Sequence, residues 1–141
     1  MKHLLCTVLV LFVLLCLAVS FTSPPEQLVR ANTFSEPMIC KAGISATMSH
    51  DPTILKAEQG QADIDYLLFY THLPDQPKHG YRCKVEDDNI IWGAINGRWR
   101  TGIKDAKLSY ATEGDAITVT KTYPNGEVRT KSFTLAQMQG N

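Results

Sequence analysis

The chain has 141 residues, and its 14 lysines plus arginines are balanced by 14 acids, so the formal net charge is zero. That balance excludes a protein that grips nucleic acid through a broad basic surface, and it excludes an acidic, solvated tail. Hydrophobic residues at 44 % and charged residues at 20 % describe a globular composition, enough for one ordinary domain.

Residues 1–20 have the pattern of a secretory signal peptide. Lys2 and His3 form a basic start, residues 4–19 are almost unbroken apolar, and Ala18-Val19-Ser20 is a small-x-small cleavage pattern. Cleavage after Ser20 places the mature N-terminus at Phe21. The alternative is an inner-membrane anchor through residues 4–19, but a bilayer-spanning helix needs about 20 apolar residues. Cys16 follows Leu15 rather than a small residue, which argues against lipid attachment there. A flexible tether is expected over 21–34, since Ser23-Pro24-Pro25 blocks regular structure. A single α+β domain is expected over 35–141.

Removing the leader removes Cys6 and Cys16, and leaves Cys40 and Cys83. An even number of cysteines in an exported chain favours a disulfide, and two allow only one intramolecular pairing. Two buried thiols or an intermolecular bond are the alternatives. Closing a loop of that length is worth about 4 kcal/mol in the chain-entropy picture.

Ser35-Glu36-Pro37 reads as a helix start: a capping hydroxyl, an acid suited to the positive end, and a proline tolerated in the first turn. Cys40, Ile44 and Met48, with Ile39 and Thr47 alongside, form the apolar stripe of an amphipathic helix that Asp51-Pro52 ends. The period then changes to two. Strands are expected over 53–58, 64–70, 81–86, 90–95, 107–112, 116–123 and 127–134, with a terminal turn at 135–138. Turns fall at 87–89, Asn96-Gly97, Gly114-Asp115 and Pro124-Asn125-Gly126. Cys83 lies on the apolar face of its strand, between Tyr81 and Val85. The expected fold is therefore one N-terminal amphipathic helix on a five- to seven-stranded antiparallel meander, with helix and sheet tied by one disulfide.

At Ile39-Cys40-Lys41-Ala42, Tyr81-Arg82-Cys83-Lys84, Ile90-Ile91-Trp92 and Gly97-Arg98-Trp99-Arg100 the chain resembles a group of small exported bacterial proteins. These carry a leader, a cysteine on the first helix and an aromatic-x-Cys strand. The resemblance covers roughly residues 38–134, implies bacterial export and the disulfide, and carries over no catalytic residue.

The sequence lacks a Gly-x-Ser-x-Gly turn and a phosphate-cradling glycine loop. His50, His72 and His79 sit in or beside loops. His72, Asp75 and His79 cluster, but Pro74 and Pro77 break the regular spacing a metal site would use. Asp87-Asp88-Asn89 lacks the ligand spacing of a calcium loop, and Asp63 with Asp65 reads as a solvated strand start. No metal and no cofactor is expected. One feature stands out: Arg98-Trp99-Arg100 after the Asn96-Gly97 turn, with Trp92 six residues earlier. In an extended segment both guanidiniums share one side and the indole takes the other, and paired arginines hold anions well. Exposed guanidiniums within reach of one shared anion, unpaired with Asp105 or Glu113, are the expectation.

These features point to a non-enzymatic exported domain that binds a protein or cell-envelope component through Arg98, Trp99, Arg100 and Trp92. One alternative is a small envelope enzyme using His72, Asp75 and His79 with Arg82. Another is an inhibitor or immunity protein of an envelope enzyme.

Overall fold

The structure, a computed structural model, describes residues 34–60, 66–70 and 79–139. All belong to one compact unit, residues 31–141. The expected signal peptide and nearly all of the expected tether lie outside the described residues.

The first described helix, α1 (Glu36–Met48), is followed by a 3-10 turn (Pro52–Ile54). Seven strands come next: β1 (Lys56–Gln59), β2 (Tyr66–Tyr70), β3 (His79–Glu86), β4 (Asn89–Ala94), β5 (Lys107–Glu113), β6 (Ala116–Thr122) and β7 (Val128–Thr134). A short α2 (Leu135–Gln139) ends the described chain. The strands form one sheet in sequence order, every neighbour antiparallel. Such a meander follows from the turn residues between successive alternating runs. Among the described residues no helix is long and apolar enough to cross a membrane.

Alternation divides the sheet into two faces. Leu68, Cys83, Ile90, Leu108, Ile117, Val119 and Phe133 face α1 and are nearly inaccessible to solvent. Among the described residues the opposite face has no helix on it. Cys40 in α1 and Cys83 in β3 are bonded, with Cα atoms 5.8 Å apart and both residues fully buried. This is the expected tie between helix and sheet. A disulfide of this kind belongs to an oxidising, non-cytoplasmic compartment.

Gly43 lets the helix approach closely. A Cβ there would lie 2.7 Å from Ile90 Cγ2. In exchange, glycine forfeits about 1 kcal/mol of helix propensity relative to alanine.

Four local expectations are corrected. Ser35 makes no side-chain cap bond. Pro37 stands at the second helical position, so one of the two amides such a cap would serve is missing. Phe34, placed in the tether by its sequence context, is only 1 % exposed. It precedes the cap and shares the core with Ile39, as in a hydrophobic staple. The helix is not a simple stripe, since all residues from Ile39 to Ser45 are buried. The 3-10 turn and α2 also pack against it, and Lys41 Nζ donates to the Met138 carbonyl at 3.4 Å. Burial holds the Lys41 amine below its ordinary pKa. Finally, the strand expected from residue 53 begins at Lys56. Asp51 Oδ1 accepts from the Thr53 amide (2.9 Å) and hydroxyl (2.7 Å), which winds the chain into the 3-10 turn first.

Candidate binding surface

The sheet splits between β4 and β5. The two strands share a single register pair, Asn89 with Ser109, supplemented by Tyr110 N–H donating to the Asp88 carbonyl at 2.9 Å. Beyond that point β4 pairs instead with the connecting segment 95–106. Gly93 bridges to Trp99, and Arg100 N–H donates to the Trp92 carbonyl at 2.8 Å. The expected turn at Asn96-Gly97 is present, closed by Gly97 N–H on the Ala94 carbonyl at 2.9 Å. It returns the chain along β4 and makes residues 99–100 an inserted strip of sheet.

Asp105 organises this segment. Its Oδ2 accepts from Arg98 Nη1 (2.5 Å) and from the Gly102 amide (2.8 Å), and its Oδ1 accepts from Arg98 Nη2 (2.8 Å). Arg100 Nη1 lies 3.7 Å from Oδ1. The fork of two parallel bonds from Arg98 is the strong geometry for a guanidinium and a carboxylate. The Arg98 hydrogen bonds hold the Asp105 carboxyl down at about 2, helped by the Gly102 amide and by the charges of Arg98 and Arg100, while burial opposes them. Asp105 in turn raises the Arg98 pKa.

The expectation that both guanidiniums stand free of Asp105 is therefore corrected. They do converge on one anion, but that anion belongs to the chain. The two acids within sequence reach, Asp105 and Glu113, were indistinguishable by spacing. The turn at 102–105, with Asp105 N–H donating to the Gly102 carbonyl at 2.9 Å, folds the nearer one back onto the arginines.

The indoles separate as an extended segment requires. Trp99 is half-buried, with the Arg82 guanidinium 4.2 Å from its ring centre and Lys84 Nζ at 5.5 Å. These two cations come from the helix-free face of β3. Arg82 Nη2 also donates to the Gly97 carbonyl. Its Nε is buried with no hydrogen-bond partner among the described residues. Trp92 is half-buried on the helix side, meeting Tyr81 edge-on at 6.1 Å and Arg100 at 5.7 Å. Cation–ring contacts of this kind fix side chains that would otherwise wander.

Clamped by Asp105, the loop presents Ile103 with 94 % of its surface in solvent. Sequence reading passed over Ile103. Its only signal is a large apolar residue set between Gly102 and Lys104.

Of the alternative catalytic constellation, only His79 and Arg82 fall among the described residues. His72 and Asp75 lie outside the described residues, as do Asp63 and Asp65. Residues 79 and 82 project from opposite faces of β3. His79 stacks on Tyr70 at 5.1 Å on the helix side, whereas Arg82 covers Trp99 on the other. His50, expected in or beside a loop, is half-buried and packs against the same Tyr70 at 4.4 Å. Tyr81 stacks on Tyr70 at 6.1 Å, and burial with the Tyr70 hydrogen bond pushes its phenol up to about 12. Among the described residues no three His, Cys, Asp or Glu side chains gather as metal ligands do.

Comparison with protein-family models, curated proteins and solved structures finds no match to this chain.

Proposed function

We propose that this protein is a non-enzymatic exported domain that binds a protein or cell-envelope component through the 95–106 loop. The carrying observation is Ile103, 94 % exposed on a loop that Asp105 fastens at Arg98, Arg100 and Gly102. A lone exposed isoleucine is ordinary. One held out on a loop ordered before any partner arrives has lost much of its ordering cost already. Burying such a side chain yields about 1.5–3 kcal/mol. The same loop carries Trp99, Arg98 and Arg100, residue types that dominate interface energies. The leader pattern, cut after Ser20, supports release into a periplasmic or extracellular space, where the disulfide persists.

Capture from an envelope extract tests this reading, with Ile103→Ser as the probe and Val128→Ser as the control at another exposed apolar position. The parent and Val128→Ser are expected to retain one stoichiometric partner. Ile103→Ser is expected to lose it at an unchanged melting temperature. Equal capture by Ile103→Ser, or no stoichiometric partner for the parent, overturns the proposal.

A further inference from the structure

On the helix-facing side of β6 and β7 the core ends where α1 ends. Ile117 pairs with Phe133, and Val119 is buried. The cross-strand partners that follow are Val119 with Lys131 and Lys121 with Arg129. The face thus changes from apolar to cationic at the last turn of α1. There it lines a cavity of about 200 Å³ together with Thr47, Ser49 and Tyr123.

The arrangement is costly without a guest. Lys121 and Arg129 stand directly opposite each other, and like charges so placed destabilise a strand pair. Among the described residues Lys121 has no ion-pair partner. It lies 4.9 Å from the Tyr123 ring, which Arg129 approaches at 5.4 Å. Lys131 lies 5.2 Å from the Phe133 ring. Two carboxylates stand near. Glu127 engages Arg129 through Nε alone, at 2.7 Å, in a pair largely open to water. Asp51 feels the charge of Lys131, while its Oδ1 accepts from Thr53. Thr47 lines the wall, but its hydroxyl is buried away from the cavity and has no hydrogen-bond partner among the described residues. The carbonyl end of α1 draws cations, and its last turn carries no basic residue of its own.

We propose that this cavity binds a compact oxyanion, a phosphate or sulfate group carrying at most one small ring. Three cations approach from two strands, which suits a tetrahedral group bearing nearly two charges better than a single carboxylate. The terminal nitrogens of Arg129 supply a fork, and Lys121 and Lys131 supply point charges. An apolar cavity of about 150 Å³ accommodates benzene, so this one admits one ring at most beside the anion.

The test titrates protein produced from the full chain with inorganic phosphate, inorganic sulfate and a hexose phosphate, by calorimetry at low and high chloride. Saturable one-site binding that weakens with salt is expected. Tighter binding of the hexose phosphate identifies an ester as the natural form, and equal or weaker binding identifies the free ion. The pair Lys121→Gln with Arg129→Gln should weaken binding by about tenfold or more, the loss expected for charged hydrogen bonds. Lys107→Gln, on the other face, should leave it unchanged. Without anion the double variant should melt no lower than the parent, and phosphate should raise the melting temperature of the parent alone. No saturable binding of any probe, or equal affinity in the double variant, overturns the proposal. So does a double variant that melts well below the parent without anion, because the cations would then be serving the helix end.

Discussion

Gly93 and Arg98 touch through backbone. A Cβ built on Gly93 would lie 2.6 Å from the Arg98 carbonyl oxygen. The obstacle is main chain, fixed by the neighbouring bond from Arg100 N–H to the Trp92 carbonyl, so it cannot swing aside. Gly93→Ala is expected to push the 98–100 strip off β4 and to destabilise by about 1–3 kcal/mol, as overpacking does. Urea unfolding measures this, and a variant as stable as the parent would contradict the contact.

Cys40 and Cys83 join the middle of α1 to β3 inside the core. Cys83→Ala should cost about 2–5 kcal/mol. Denaturant unfolding with and without reductant checks the value. Thiol labelling of native, non-reduced protein should leave both residues unmodified, and labelling of either would refute the bond.

Asp105 links stability to acid pH. Its carboxyl is lowered from 3.8 to about 2 in the fold, chiefly by Arg98. A depressed carboxyl stabilises above its unfolded value, and that contribution disappears as pH falls through the folded one. The parent should therefore lose stability between about pH 4 and pH 2. Asp105→Asn should lack that component of the loss and be less stable near neutrality. Urea midpoints across this range, compared between the two proteins, decide it. Parallel curves would mean that the clamp contributes nothing.

Tyr81 acts at the alkaline end. Burial, with the Tyr70 hydrogen bond, raises its phenol from 10.0 to about 12. The fold thus prefers the neutral form, and this contribution is complete below pH 10 and lost as pH rises toward 12. Burial also raises Tyr110, so tyrosinate absorbance should show late-titrating phenols in the parent, of which the latest is missing in Tyr81→Phe. If every tyrosine ionises together near the ordinary value, the stacked Tyr70–Tyr81 arrangement is wrong.

The sequence alone determined most of the elements and their order, though not the 3-10 turn at Pro52–Ile54. Local signals suffice for that: Pro37 and Asp51-Pro52 bracket α1, alternation marks β2 to β7, and Asn-Gly or Gly-Asp pairs mark the turns. A meander pairs neighbours in sequence, so each strand finds its partner through a short connection. Two cysteines on apolar faces admitted one internal bond. Only the tertiary structure decided which side chains meet over longer paths. Nothing in the spacing of Arg98, Arg100 and Asp105 says whether the acid folds back or faces water. The turn at 102–105 and the split between β4 and β5 settle that in three dimensions. Likewise, Lys121 and Arg129 read as ordinary strand charges until register sets them opposite each other, just past the end of α1. Periodicity reports which face a residue occupies, but where a covering helix stops is set by packing between distant elements.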